Sequence, residues 1–235
     1  MSSVSSDNEI PVITLDGPGG VGKGTISAML AEKLNWHYLD SGALYRLTGL
    51  ACVQKGISLD SNTQETYERV ALVAENLDVR FLPQGGILMA EQEVETLIRS
   101  ESAGNNASKV AAIPEVRDAL FNRQRGFLQP PGLVADGRDM GTSLFPNAIL
   151  KIFLTASAEE RAKRRYKQLI EKGNNVNLAG LLVEIQQRDE RDMSRSASPL
   201  IAAEDAHIID TSNMSIDEVF EEVMRLYKTS VLNKN

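Results

Sequence analysis

The run Gly17-Pro18-Gly19-Gly20-Val21-Gly22-Lys23-Gly24-Thr25 constrains this chain more than any other segment. It has the spacing G-x-x-x-x-G-K and follows the β-branched run Val12-Ile13-Thr14-Leu15, which ends in Asp16. Beyond it, Ile26, Met29, Leu30 and Leu34 recur at helical spacing. A strand, a glycine-rich turn and a helix in that order let consecutive backbone N–H groups turn inward around a phosphate. The helix N-terminus adds positive potential and the lysine reaches the β and γ oxygens. A flexible glycine turn is the plainer alternative, but the flanking elements favour the phosphate cradle. Gly24 rather than Ser or Thr follows the lysine, and the hydroxyl of Thr25 comes one residue later, so the metal shell is expected to differ from that of GTPases. The only Asn-Lys pair, Asn233-Lys234, lies at the very end, which weakens the case for a guanine-nucleotide switch.

A second strand is expected at His37-Tyr38-Leu39, with Asp40-Ser41 as turn and helix cap ahead of an apolar helix through Leu44, Leu47 and Leu50. From about Gly56 to Arg99 the pattern changes. A helical stretch over Tyr67 to Asn76 precedes Val79-Arg80-Phe81 and Ile87-Leu88-Met89, separated by Pro83-Gln84-Gly85-Gly86, a hairpin signal. At 235 residues the chain exceeds one ordinary domain, and this segment reads as an insertion. Helices are expected from Ala107 to Leu128. After Pro130-Pro131-Gly132 come strands at Leu133-Val134-Ala135 and Ile149 to Leu154, a last strand His207-Ile208-Ile209-Asp210 and a closing helix from Ser215 to Tyr227. This alternation predicts an α/β fold, a parallel sheet with helices on both faces.

Charge and cysteine usage exclude several function classes. With 32 acidic and 25 basic side chains the formal charge is −7, the wrong sign for a protein that coats nucleic acid. Any anion must be held by a local basic cluster. Cys52 is the one cysteine, and with only His37 and His207 no Cys/His zinc constellation can be assembled. Residues 1–9 lack the basic start and apolar stretch of a signal peptide and read as a disordered leader. No run of about 18 apolar residues occurs. A cytoplasmic protein without a membrane partner is expected. Trp36 and His37 are read as packing and edge residues and Cys52 as an inert small hydrophobe.

Leu133-Val134-Ala135-Asp136-Gly137-Arg138-Asp139-Met140-Gly141-Thr142 delivers two acids and an arginine to the carboxyl end of a strand, the edge at which open α/β sheets bind ligands. Asp136 is a candidate to orient a hydrated Mg²⁺ beside the phosphates. A polar turn with internal hydrogen bonds explains the same residues. Ser41 and Arg46, at the start of a helix and nearly two turns on, have plain explanations as an N-cap and a solvated charge. Arg188, Asp192 and Arg195 stand at i, i+4 and i+7, which predicts one shared helix face. That face is either a salt-bridged surface or a set of planar guanidinium forks suited to phosphate. Arg161, Arg164 and Arg165 predict another basic face, followed by Gly173-Asn174-Asn175. This pattern looks like a lid with flexible ends, and an amphipathic solvated helix is the plain option.

Taken together, G-P-G-G-V-G-K-G-T, L-D-S-G-A-L-Y-R, N-N-A-S-K-V-A, V-A-D-G-R-D-M-G-T and Q-R-D-E-R-D-M-S-R resemble the bacterial cytidylate kinases, within the nucleoside monophosphate kinases that share the G-K-G-T form. The resemblance covers roughly Pro11 to Tyr227. It implies a P-loop kinase fold over 10–230, with a core (10–55, 100–158 and 195–230), a monophosphate-binding insertion (about 56–99) and a lid (about 159–194). The implied reaction transfers the γ-phosphoryl group of ATP to CMP or dCMP with Mg²⁺. Gly17, Pro18, Gly19, Gly20, Val21, Gly22, Lys23, Gly24 and Thr25 would cradle ATP, with Arg161 and Arg165 on the same side. Ser41, Arg46 and Arg138 would hold the acceptor phosphate, and Arg188 and Arg195 would approach the phosphates on closure. Asp192 would accept from the ribose hydroxyls, while Ser108, Arg117 and Asp139 would read cytosine. Lys23, Arg138, Arg188 and Arg195 are thus the expected catalytic set. The resemblance also suggests a monomer with no obligate protein partner. A kinase for UMP, AMP or shikimate would keep the P-loop and arginines but change the residues at Ser108, Arg117 and Asp139. A nucleotide-regulated interaction module is the rival from another class, and the abundance of arginines counts against it.

Overall fold

Val12 to Asp16 is buried at every position, and so is Leu133 to Asp136. Strands with no exposed side suit the centre of a parallel sheet covered on both faces. In the computed structural model, which describes residues 10–82, 86–171, 173 and 175–232, these are β1 (Val12–Asp16) and β6 (Leu133–Asp136). The expected leader 1–9, residues 83–85 of the expected hairpin turn, Asn174 and the pair Asn233-Lys234 lie outside the described residues. The sheet also contains β2 (His37–Asp40), β7 (Leu150–Thr155) and β8 (His207–Asp210), in the order β2-β6-β1-β7-β8. Every pairing in it is parallel. Register aligns Leu15 and Asp40 with Asp136, so Asp16, Asp40 and Asp136 all stand at the carboxyl edge of the sheet.

Helix α1 (Lys23–Leu34) and the closing helix α9 (Ile216–Leu232) pack into the sheet's main core. Ile26 and Leu30 of α1 meet Val219 and Val223 of α9 beneath Ile13, Leu15, Ile152 and Leu154. Trp36 closes this core edge-on against Tyr227, their centroids 5.9 Å apart, and His37 Nε2 bonds the Pro130 carbonyl at 3.0 Å. Both are packing and edge residues, as the sequence suggests. Helix α1 begins at Lys23, two residues before the expected Thr25. The last residue of the loop with positive φ is Gly22, and helical geometry is open to every residue after it. The first compact unit spans the described parts of 1–40, 126–194 and 198–235, and it includes α7 (Ala158–Glu171) and α8 (Leu178–Ser194).

The second unit comprises Ser41–Arg125 and Arg195–Ala197. It holds α2 (Ser41–Gln54), α3 (Gln64–Glu75), α4 (Glu95–Ile98), α5 (Glu101–Val110) and α6 (Pro114–Arg125). The predicted hairpin is present as β3 (Val79–Phe81) and β4 (Ile87–Met89), extended by a third antiparallel strand, β5 (Gln92–Glu93). The helices expected from Ala107 to Leu128 are α5 and α6, which begin earlier, at Glu101, and end at Arg125. Ser100 caps α5 by accepting the Ala103 N–H at 3.2 Å, and Pro114 opens α6, where its missing N–H costs nothing. Cys52 is buried on α2, and its burial pushes the thiol up to about 11, which leaves it inert at neutral pH.

Candidate active site

The loop between β1 and α1 is shaped by its glycines. Gly17 has φ +140°, and a Cβ there would lie 2.0 Å from the Leu154 carbonyl oxygen, so the chain leaves β1 pressed against β7. Gly22 caps α1 in the left-handed region with no side-chain hydrogen bond, and no acid occupies the first turn. The amide groups there keep their positive potential for an external anion. Lys23 is buried and donates to the Pro18 carbonyl at 2.9 Å, while its Nζ lies 4.0 Å from Asp136 Oδ1.

Burial pushes the Lys23 ammonium down, aided by the Arg138 charge, and pushes the Asp136 carboxyl up. A phosphate oxyanion against Lys23 would restore its charge, because an opposite charge favours the ionised form. Asp136 Oδ2 accepts from Tyr38 Oη at 3.4 Å and lies 3.5 Å from where a Cβ on Gly24 would sit. A single hard carboxylate beside the helix start suits Mg²⁺, which keeps several waters and takes one or two carboxylates together with phosphate oxygens. Among the described residues no group of three or more His, Cys, Asp or Glu forms a protein-only metal cage.

Two guanidinium groups converge on the loop. A Cβ built on Gly19 would lie 3.5 Å from Nη2 of Arg138 and 3.5 Å from Nη1 of Arg188. Arg138 donates through Nε to Asp192 Oδ2 at 3.1 Å, and Asp192 is buried. Asp192, which helical spacing offers to Arg188 or Arg195, is held by an arginine from the loop after β6. The expected shared face of Arg188, Asp192 and Arg195 does not form as predicted. Helix α8 ends at Ser194, so Arg195 falls outside it and belongs with the second unit.

The basic face expected from Arg161, Arg164 and Arg165 is also divided. Arg161 is buried and grips Asp189 with both outer nitrogens while donating to the carbonyls of Gly19 and Ala156, each at 3.1 Å. Arg164 donates to the side chain and carbonyl of Thr211. Arg165 is half-buried and reaches Gln168 at 3.4 Å. Helical spacing placed these arginines together, but the surrounding acceptors draw Arg161 under the phosphate loop.

In the second unit, Ser41 is the first residue of α2 rather than its cap, and its buried hydroxyl donates to Gln124 Oε1 at 2.6 Å. Arg46 donates to the carbonyls of Ile98 and Ser100 at 2.6 and 3.2 Å. Arg117 of α6 lies over the Tyr45 ring, 5.8 Å from its centroid, and Ser108 is buried on α5. The structure therefore gathers Lys23, Asp136, Arg138, Arg161, Arg188 and Asp192 in the first unit. The second unit holds Ser41, Arg46, Ser108 and Arg117. Asp139, buried after β6, belongs to the first.

Sequence reasoning missed Asp16, Tyr45 and Asp189. Asp189 stands inside Q-R-D-E-R-D, where an acid beside arginines was a signal of pairing. Asp16 carried only its place at a strand end, and Tyr45 only its place inside L-D-S-G-A-L-Y-R.

The sequence model of the cytidylate kinase family matches residues 13–229. The chain is 52% identical to a cytidylate kinase from Shewanella denitrificans over 94% of this chain and 97% of that one. It is 54% identical to the cytidylate kinase of Aeromonas salmonicida over 91% and 92% of the two chains. It is also 54% identical to that of a Marinomonas species over 92% and 95%. With a phosphate loop, a lysine and two arginines converging at the edge of a parallel sheet, the chain belongs to the cytidylate kinase family.

Proposed function

We propose that this chain transfers the γ-phosphoryl group of ATP to CMP and dCMP, giving ADP with CDP or dCDP. The observation that carries the reading is the convergence of Arg138 and Arg188 on Gly19 beside Lys23, in a chain of this family. A phosphate oxygen of the acceptor attacks the γ-phosphorus as the bond to the β-phosphate oxygen breaks. Little covalent help is needed, and catalysis rests on positioning and on neutralising charge. Lys23 and the amide groups from Gly17 to Thr25 hold the donor. Arg138, Arg188 and Arg195 neutralise the moving group, and Ser41 and Arg46 hold the acceptor phosphate. Magnesium, when bound with ATP, neutralises phosphate oxygens, and Asp136 is the residue to hold it through water.

Arg161 acts on the ATP side through the loop it carries, which leaves Arg165 to approach the nucleotide. Ser108, Arg117 and Asp139 read the base. Segments 56–99 and 159–194 serve as the monophosphate-binding insertion and the lid, whose closure excludes water that would otherwise hydrolyse ATP. No helix among the described residues is long and apolar enough to cross a membrane. A cytoplasmic monomer fits this reading, and the buried, unpaired Cys52 fits a reducing compartment.

A coupled ADP-release assay against CMP, dCMP, UMP and AMP tests the assignment. Fast turnover is expected only with CMP and dCMP, and comparable turnover with AMP would overturn it. Asp192→Ala is expected to raise KM for the monophosphate by about tenfold, the loss of a hydrogen bond to a charged group, with little change in KM for ATP. Equal rises for both substrates would instead make the Arg138–Asp192 pair a structural tie.

A further inference from the structure

Asp16 is a carboxylate buried at the end of β1, where a charged group is costly unless it is fully hydrogen-bonded. Its partners lie 124 and 125 residues away. Oδ1 accepts the Met140 N–H and Oδ2 the Gly141 N–H, each at 2.8 Å. These amides open a π-helical turn, Met140–Leu144, and the residue just before it is Asp139. The Asp139 carbonyl accepts the N–H groups of Ser143 and Leu144 at 2.9 and 3.3 Å. Asp139 is therefore pinned from both directions, through its own carbonyl and through the next two amides.

The approach is close. A Cβ on Gly141 would lie 2.9 Å from Thr14 Oγ1 and 3.1 Å from Lys151 Cδ, so only glycine brings this amide down onto Asp16. Burial lifts the Asp16 carboxyl to about 7 even though both amides and Lys23 favour its charge. A neutral apolar residue at 16 would avoid that cost. It would also leave the Met140 and Gly141 amides buried without acceptors.

We infer that Asp16 is a positioning residue for base selection, its carboxylate fixing the backbone from which Asp139 presents its own carboxylate to the 4-amino group of cytosine. Asp16 is peptide-bonded to Gly17, so the same residue ties the base-reading turn to the first glycine of the phosphate loop. The inference rests on the reading of Asp139 as the base-reading acid.

The test is a double-mutant cycle on the CMP/UMP ratio of kcat/KM, with Asp16→Asn, Asp139→Ala and the pair. The asparagine keeps the shape but offers one acceptor and a donor where two acceptors are needed. Asp139→Ala alone is expected to narrow the ratio by about 10- to 100-fold, the loss of a charge-assisted hydrogen bond, and Asp16→Asn by about tenfold. In the Asp139→Ala background Asp16→Asn should change the ratio no further, because its effect runs through the carboxylate already removed. A merely structural role predicts that Asp16→Asn slows CMP and UMP equally. That result, alongside a narrowed ratio in Asp139→Ala, overturns the inference and leaves the base reading intact. An unchanged ratio in Asp139→Ala refutes the base reading itself, and the inference falls with it. Should Asp16→Asn fail to fold, hydrogen exchange of the wild-type protein decides. The Met140 and Gly141 amides should be protected like those of β1, and exchange at the rate of an open loop overturns the clamp.

Discussion

Replacing Lys23 by methionine is expected to leave the protein folded and to lower turnover by about two to three orders of magnitude, the range found when one donor to a developing charge is removed. The stem is nearly preserved and the site is buried, so packing changes little. The charge itself sits unfavourably in the protein alone, since burial and Arg138 both push the Lys23 ammonium down. Its removal therefore relieves a desolvation cost. What is lost is one hydrogen bond to the Pro18 carbonyl, the 4.0 Å attraction to Asp136, which keeps its bond from Tyr38, and the attraction to Asp16, which keeps the Met140 and Gly141 amides. Stability should change little while the donor phosphates lose their point charge. Circular dichroism with thermal melting, together with the ADP-release assay, checks both halves. Near-normal turnover from a folded variant would remove the phosphate loop from the mechanism.

The features legible in the sequence are those fixed by neighbours along the chain. The glycine cluster declared a turn between strand and helix, which the chain makes with positive φ at Gly17, Gly20 and Gly22, and the apolar runs at 12–15, 133–135 and 149–154 declared strands. Gly24 declared that no Ser or Thr hydroxyl follows the lysine, and Asp136 lies against it. Side-chain direction at long range was not legible. Arg161, Arg164 and Arg165 share a charge and a helix, yet which one turns inward depends on Asp189, Thr211 and the Gly19 carbonyl. Asp192 offered two arginines at helical spacing, and a third, Arg138, holds it from the end of a strand 54 residues away. Asp16 shows the same limit. Nothing near it in sequence announces that two backbone amides from beyond β6 end on its carboxylate.

The Arg161–Asp189 pair gives the largest expected effect on stability. Arg161 has a side-chain exposure of 4% and Asp189 one of 15%, so the guanidinium sits almost dry against a carboxylate that touches water. In Asp189→Ala the cation stays buried and keeps only the carbonyls of Gly19 and Ala156. Removing one partner of a buried pair costs about 3–5 kcal/mol, because the remaining charge has no counterion. Water can enter where Asp189 is exposed, which places the expected loss near 3 kcal/mol. For a chain of this length that corresponds to a Tm lower by about 6–12 °C. The cost belongs to the orphaned charge rather than to the missing contact. The double variant Arg161→Met with Asp189→Leu is therefore expected to recover most of the loss, since apolar side chains of similar volume replace a buried pair at little penalty. Thermal unfolding of the wild type, the single variant and the double variant separates these contributions, and KM for ATP in the double variant separates two roles of Arg161. Recovered stability with an unchanged KM fits a guanidinium whose role is confined to its pair with Asp189, while recovered stability with a KM raised severalfold would place it on the ATP side, where it donates to the Gly19 carbonyl. If Asp189→Ala melts within about 1 °C of the wild type, the shift expected for well under 1 kcal/mol, the pair is solvated and α7 is held to α8 by its apolar contacts.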